Sequence, residues 1–120
     1  MTHDRQKLEC WGESLAANYL NKRGYTIVDR NERNPYGEID LVVLHDGVTV
    51  FAEVKTRTSH TYGLPEAAIT KIKRDHILPA AQDYLLFYPE YDNDWRVDVI
   101  SILHISGQDP EIEHFENAIN

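Results

Sequence analysis

Apolar side chains recur at intervals of three and four residues near the start of the chain, from about Leu8 to Arg23. The stripe consists of Leu8, Trp11, Leu15 and Tyr19, and it is widened by Ala16, Ala17 and Leu20. This period predicts an amphipathic helix, and Gly24 is a suitable residue to end it.

Strand-like runs follow this helix. Residues 25–30 are rich in β-branched and aromatic side chains and predict a first strand, which ends before a turn at residues 34–37. Residues 38–45 and 48–56 form two further runs, separated by Asp46-Gly47. Because this dipeptide strongly favours a two-residue turn, we predict that these runs form a β-hairpin.

The second half of the chain contains one predicted helix and two predicted strands. The helix spans about residues 65–88, and Pro79 is expected to kink or divide it. Residues 95–104 predict a long strand, and residues 112–115 a short partner beyond a turn. The predicted order is α-β-β-β-α-β-β, and a length of 120 residues without repeats or linkers favours a single domain over 1–120.

The hairpin turn fixes a register that brings charged residues together. If Asp46 and Gly47 form the loop, Asp40 lies opposite Glu53, and Glu38 lies opposite Lys55. The period of two places these four side chains on one face of the hairpin. The opposite face receives the apolar residues Ile39, Leu41, Val43, Val48, Val50, Ala52 and Val54.

Two opposed carboxylates repel one another unless a proton or a cation lies between them. The pairing of Asp40 with Glu53 therefore predicts a site for Mg²⁺ or Mn²⁺, which carboxylate oxygens suit and which can activate a water molecule. Lys55 is expected to position that water or to stabilise charge on a phosphate, and Arg57 to hold a phosphate oxygen. Glu38, on the same face, is assigned with Arg57 to the surface that binds the nucleic acid. The alternative is an exposed, ion-paired sheet face, which is the commoner meaning of such a pattern in an arbitrary hairpin. The apolar neighbours of Glu53 favour burial and hence the metal site.

Other charged residues carry weaker predictions. Glu13 is turned toward the apolar side of the first helix, where an inward carboxylate needs a partner, although the edge of a solvated face explains its spacing equally well. Lys73 and Arg74 are candidates for phosphate contacts, as is the polar loop at residues 58–62, but an exposed charged surface is the simpler interpretation of both.

The net charge of −8 argues at first against a nucleic-acid partner. The acidity is concentrated in the last third, since residues 1–80 carry 11 acidic and 11 basic side chains, whereas residues 81–120 carry 9 acidic ones and only Arg96. A basic surface can therefore exist in the first two-thirds, and net charge alone does not decide the partner.

Composition indicates a protein of the reducing cytoplasm. Cys10 is the only cysteine, which excludes an internal disulfide and a cysteine-based zinc site. The sequence contains no apolar run of membrane-spanning length and no apolar stretch typical of a signal peptide. We therefore expect no membrane association and a cytoplasmic location.

Several separated motifs resemble one protein family from end to end. They are Gly12-Glu13 with Ala16, Ala17, Tyr19 and Leu20, then Gly24-Tyr25, Asn31 with Arg33, residues 37–41, residues 51–57, Lys73, Ala80-Ala81, residues 96–99 and Asn117-Ala118. This pattern resembles the YraN-like predicted endonucleases, distant relatives of archaeal Holliday-junction resolvases in the PD-(D/E)xK nuclease superfamily. The resemblance implies an α/β restriction-endonuclease-like core, with a mixed central sheet flanked by helices.

The resemblance also implies roles for individual residues. Asp40 and Glu53 match the metal ligands of the superfamily, Lys55 its catalytic lysine, and the carbonyl of Val54 a further ligand. Glu13 matches a first-helix glutamate that resolvase-like members place near the metal. The sequence departs from the pattern at Ile39, where the superfamily name has proline, and at Arg74, where relatives commonly have glutamine.

The leading hypothesis is metal-dependent hydrolysis of DNA phosphodiester bonds, with branched or junction DNA as a candidate substrate. A resolvase that acts on two symmetric strands would form a homodimer. The alternative is a noncatalytic nucleic-acid or protein-binding module that retains the nuclease scaffold, which the acidic net charge favours.

Overall fold

The structure is a computed structural model that describes residues 2–58 and 71–119, with side chains for residues 4–58 and 75–119. Among these residues, the helices are α1 (Thr2–Lys22) and α2 (Lys71–Phe87), and a 3₁₀ turn spans Pro89–Tyr91. The strands are β1 (Thr26–Asn34), β2 (Gly37–His45), β3 (Val48–Arg57), β4 (Asp94–Leu103) and β5 (Glu111–Ile119). The predicted order of helices and strands is confirmed for these residues.

The five strands form one mixed sheet in the order β1-β2-β3-β4-β5. Neighbouring strands are antiparallel except β3 and β4, which are parallel. Parallel neighbours need a crossover connection, and α2 lies within the segment that joins β3 to β4. The α/β class with a mixed sheet is therefore confirmed.

The two helices cover opposite faces of the sheet. On one face, α1 contributes Ala16, Ala17 and Leu20 to a buried cluster that also contains Leu41, Val43, Val50, Ala52, Ile100 and Ile102. On the other face, α2 contributes Ile77, Ala80, Ala81, Tyr84 and Leu85 to a cluster with Ile39, Val42, Phe51, Val97, Val99 and Ile119. Because both faces are covered, the central strands consist largely of buried apolar residues.

The predicted hairpin between β2 and β3 is confirmed. The strand pairs run from His45 and Val48 to Leu41 and Ala52, in the expected register. Asp46 and Gly47 have φ values of +50° and +79°, and a two-residue turn with both central residues in this region matches the twist of the flanking strands.

One apolar residue of β2 faces the side opposite to the one predicted. Ile39 was expected beside Leu41, but it packs with α2 while Leu41 packs with α1. The β1–β2 ladder pairs Arg30 with Leu41 and Glu32 with Ile39, and it skips the residues between them. Those residues are Asn31, whose φ is +53°, and Asp40, so the alternation of side chains is interrupted at the predicted site. As a result, Glu38 and Asp40 lie on the α1 side of the sheet with Leu41, and the prediction that they face away from it is wrong.

Other differences concern element boundaries. Pro79 lies inside one continuous helix and does not divide it, because the helix is anchored on both sides of the proline by buried Ile77, Ala80 and Ala81. The strand β5 is longer than the short run predicted, since its polar side chains lie along a sheet edge and conceal the strand pattern. The predicted start of the second helix falls outside the described residues. Among the described helices, neither has a stretch long and apolar enough to cross a membrane.

Candidate metal and phosphate site

Three carboxylates from two elements, α1 and β2, converge on the α1 side of the sheet. Glu13 of α1 and Glu38 and Asp40 of β2 each offer an oxygen, and these three atoms lie within 4.8 Å of one another. The three side chains line a cavity of about 250 Å³ together with Val54, Lys55 and Thr56. A group of carboxylate oxygens at this spacing can hold a hard divalent cation such as Mg²⁺ or Mn²⁺.

The position of Glu13 depends on a close approach of α1 to β3. Gly12 is buried against Thr56, and a β-carbon on Gly12 would overlap the Thr56 hydroxyl. It would also lie 3.1 Å from the Thr56 β-carbon and 3.3 Å from its Cγ2, so the contact with Thr56 would stay tight even if the hydroxyl rotated away. The absence of a side chain at Gly12 therefore allows the helix to bring Glu13 to the cavity.

Asp40 is held by the neighbouring strand. Its Oδ2 accepts a hydrogen bond of 2.9 Å from the backbone N–H of Val54. This bond lies just beyond Leu41 and Ala52, where the regular β2–β3 pairing ends. The carboxylate thus satisfies a backbone donor while it remains directed toward the cavity.

Asn31 supports the cluster from β1. Its side chain hydrogen-bonds the Glu13 carboxyl, and its backbone has a φ of +53°, which is uncommon for a residue other than glycine. Asparagine tolerates this conformation better than most residues, and backbone strain of this kind is often found at functional sites.

The cluster is electrostatically unbalanced. Burial raises the pKa of Glu13, and the negative charges of Asp40 and Glu38 raise it further, whereas Asn31 and Arg30 act in the opposite direction. Desolvation and like charges both favour the protonated carboxyl. A bound divalent cation would remove this conflict.

Four other predicted site residues, Glu53, Val54, Lys55 and Arg57, belong to β3. Glu53 is buried, with 3% of its surface exposed, and it lies one residue beyond the last β2–β3 strand pair. It is not one of the three carboxylates that converge, whereas Lys55 and Val54 line the cavity. Arg57 ends β3, and its carbonyl accepts a hydrogen bond of 2.8 Å from the backbone N–H of His104. Glu53, Lys55 and Arg57 all make further interactions.

Some predicted contacts lie outside the described part of the chain. The side chains of Lys73 and Arg74 are outside it, and so is most of the polar loop expected at residues 58–62. Their roles in binding phosphate remain predictions.

The structure adds residues that the sequence analysis did not assign to the cluster. Glu38, expected to act in nucleic-acid binding, is one of its three carboxylates, and Arg33 forms an ion pair with it, with 2.8 Å between Nη2 and Oε2. The turn that follows Asn34 contained a sequence signal that could have placed both Arg33 and Asn31 near the cluster. With Asn34 paired to Gly37, the register of β1 and β2 sets Arg33 opposite Glu38, and it leaves Asn31 and Asp40 as the two residues between the pairs of Arg30 with Leu41 and of Glu32 with Ile39.

A second carboxylate network lies between β4 and β5. Asp98 is fully buried, and it accepts hydrogen bonds from Arg96 Nε at 2.9 Å and from the backbone N–H of Asn117 at 2.9 Å, with His114 Nε2 at 2.7 Å. Arg96 also donates to the hydroxyl of Tyr25 at 3.0 Å. Burial acts to raise the pKa of Asp98, but the interactions with His114, Arg96 and Asn117 outweigh it, and the pKa is lowered. This carboxylate is therefore satisfied by the protein itself.

Comparison with known proteins identifies relatives over almost the whole chain. Residues 12–102 match the family model described as "Uncharacterised protein family UPF0102". A UPF0102 protein of Geobacter metallireducens is 46% identical over 98% of this chain and 96% of its own length. UPF0102 proteins of Syntrophomonas wolfei and Syntrophotalea carbinolica are 45% and 42% identical, and the matches cover 94% and 100% of this chain and 97% of each relative.

Proposed function

The chain belongs to the UPF0102 family, which is the YraN-like family that its sequence motifs resemble, and from the geometry of its acidic cluster we propose that it is a metal-dependent endonuclease that hydrolyses DNA phosphodiester bonds. The observation that carries this proposal is the convergence of Glu13, Glu38 and Asp40 within 4.8 Å at a cavity that Lys55 also lines. Three carboxylates repel a polyanion unless a cation joins them, whereas with a cation they can attract phosphate. We therefore propose a site for Mg²⁺ or Mn²⁺.

The donor set suits a hard cation. Asp40, Glu13 and Glu38 offer oxygens from the cluster, and the PD-(D/E)xK pattern adds Glu53 and the carbonyl of Val54 as expected ligands. A cation of this kind supplies charge neutralisation and an acidified water when bound. The described cluster contains no histidine or cysteine, which makes a zinc site a poor alternative.

The remaining residues act on the phosphate. Lys55 lines the cavity and is suited to stabilise the negative charge that develops on the phosphoryl oxygens during attack. The bond from Val54 N–H to Asp40 fixes the direction of one ligand, and Asn31 steadies Glu13, so the ligands need little reorganisation. Arg57, Lys73 and Arg74 are proposed contacts to the DNA backbone.

The test is cleavage of labelled linear, single-stranded, flapped and four-way-junction DNA with Mn²⁺ or Mg²⁺. We expect cleavage by the wild type that is lost in Glu53→Ala and Asp40→Asn and retained in Glu113→Ala, a matched control at an exposed acid of β5. A fully active Glu53→Ala protein would contradict the role proposed for Glu53. The preferred substrate would show whether branched DNA is the target.

A noncatalytic binding module is the second candidate, and the excess of acidic residues favours it. It predicts binding of Mn²⁺, abolished by Asp40→Asn, without cleavage of any of the four DNA substrates.

If junction DNA is cut, we expect a homodimer, because the two strands to be cut are equivalent. Light scattering of the purified protein would measure its mass directly.

A further inference from the structure

Arg33 binds a carboxylate that belongs to the acidic cluster. Its guanidinium lies 2.8 Å from Glu38 Oε2, and the two residues are direct partners in the β1–β2 ladder. The Arg33 side chain is 78% exposed, and that of Glu38 is 34% exposed. An ion pair this open to water contributes little to stability and can be exchanged for another partner.

Glu38 therefore has two competing partners. One of its oxygens lies within 4.8 Å of ligand atoms on Glu13 and Asp40, where a divalent cation would bind, and the same carboxylate holds Arg33. A divalent cation attracts a carboxylate more strongly than a solvated guanidinium does, and it repels the positive charge of Arg33. Occupation of the cluster would thus weaken the bond between Arg33 and Glu38.

The other described arginines near the cluster have different partners. Arg30 donates to Ser14 Oγ at 3.2 Å, and Arg5 pairs with Glu9 at 3.5 Å. Arg33 differs because its partner is itself a cluster carboxylate, and because it lies on β1, an exposed edge of the sheet. Its planar guanidinium is well matched to two oxygens of a phosphate.

We propose that Arg33 is a phosphate-binding residue that Glu38 restrains until a divalent cation binds, after which Arg33 contacts the backbone of the nucleic acid. This inference rests on the proposed function and adds a residue and an order of events to it. The cation and the phosphodiester then bind cooperatively, because the first removes the restraint on a ligand of the second.

The proposal predicts opposite effects of one substitution. Arg33→Gln removes both a competitor for Glu38 and a positive charge near the cation, so Mn²⁺ should bind about two- to fivefold more tightly. The same variant loses a phosphate contact, so DNA should bind about tenfold more weakly when Mn²⁺ is present. The slope of log affinity against log salt should fall by about 1.

The experiment uses calorimetry with Mn²⁺ and fluorescence anisotropy with labelled duplex and four-way-junction DNA. A Lys55→Met background prevents cleavage during the binding measurement, and Arg33→Gln is compared in it with Arg23→Gln. Arg23 is an exposed arginine at the far end of α1, where it packs on the Tyr19 ring. Each DNA measurement is repeated with EDTA, in which Arg33→Gln should weaken binding no more than Arg23→Gln does.

The outcomes separate this inference from the proposed function. Tighter Mn²⁺ binding with a metal-dependent loss of DNA affinity supports the role of Arg33. Equal DNA affinity in Arg33→Gln and Arg23→Gln overturns it, and so does a loss of DNA affinity in Arg33→Gln that is the same with Mn²⁺ and with EDTA. If Mn²⁺ binding still needs Asp40 in either case, the proposed metal site stays intact. Mn²⁺ affinity that is unchanged in Asp40→Asn overturns the metal site and this inference together.

Discussion

Asp98 of β4 is a buried carboxylate and Glu13 of α1 a partly buried one, yet the protein shifts their pKa values in opposite directions. Around Asp98, Arg96, His114 and the N–H of Asn117 compensate for burial and lower the pKa. Around Glu13, burial and the charges of Asp40 and Glu38 raise the pKa. The first network is complete without a ligand, whereas the second gains from a cation.

This contrast separates a structural role from the functional role that we propose. Asp98 joins β4 to β5 through side-chain and backbone donors, so its value to the protein is the stability of the sheet. The cluster of Glu13, Glu38 and Asp40 keeps like charges close together, which opposes folding and is tolerated where binding requires it. Substitutions at the two places should therefore have different consequences.

The largest effect on stability is expected at Asp98. Asp98→Ala leaves Arg96 and His114 without their buried partner and should lower the free energy of unfolding by about 3–5 kcal/mol. Guanidinium chloride unfolding measures it, and Asp98→Asn, which keeps one acceptor, serves as the milder variant if the alanine protein does not fold. A loss below about 1 kcal/mol in both variants would show that the network is not structural.

Asp40→Asn should act on metal binding instead of stability. The amide keeps an oxygen that can accept the bond from Val54 N–H and removes one negative charge from the cluster, so stability should change by less than about 1 kcal/mol. Affinity for Mn²⁺ should fall by at least about tenfold because a charged ligand is lost. Calorimetry gives the affinity, and a thermal shift with Mn²⁺ that persists in this variant would contradict the assignment.

The two regions also differ in how far the sequence predicted them. Asp46-Gly47 predicted the hairpin register correctly, because a two-residue turn with positive φ at both positions leaves a single pairing. The break in alternation at Asp40 could not be read from the same pattern, because it depends on the left-handed backbone of Asn31 on another strand. Ile39 was assigned to the wrong face for this reason.

Side-chain clusters that depend on packing were the least predictable. The role of Asp98 requires β5 to be in place, and the exposed polar residues of that edge strand hide its length. Arg96, Asp98 and Asn117 were visible only as parts of a family resemblance, without a physical role. The spacing of Glu13 fitted an inward-facing residue and the edge of a solvated face equally well, because its approach to β2 depends on the contact between Gly12 and Thr56.

A side chain at position 12 should disturb both the contact between α1 and β3 and the metal site. Gly12→Ala forces α1 away from Thr56, which should reduce stability by about 1–3 kcal/mol and, by moving Glu13, weaken Mn²⁺ binding several-fold. A second variant, Gly12→Ala with Thr56→Ala, removes the hydroxyl that the new β-carbon would overlap and should recover part of the metal affinity. Loss of stability with unchanged Mn²⁺ affinity would mean that the helix contact does not position the cluster.

The smallest effect is the response of the two regions to pH in the absence of metal. Asp98 has a lowered pKa, so its contribution to stability is present above its ordinary value of 3.8 and is lost as the pH falls below it. Glu13 has a raised pKa, so its contribution is present below its ordinary value of 4.5 and is lost as the pH rises through the raised value.

Glu13→Gln isolates the second effect, since glutamine stays neutral and can still hydrogen-bond Asn31. Relative to wild type, this variant should gain stability between pH 4 and pH 7, by less than about 1 kcal/mol because water screens a half-buried carboxyl. Saturating Mn²⁺ should reverse the order at pH 7, because the wild type has a ligand that the variant lacks. Urea unfolding of both proteins at pH 4 and pH 7, with Mn²⁺ and with EDTA, measures the free energy of unfolding under all four conditions. Parallel curves for the two proteins in EDTA would show that the like charges around Glu13 do not oppose folding.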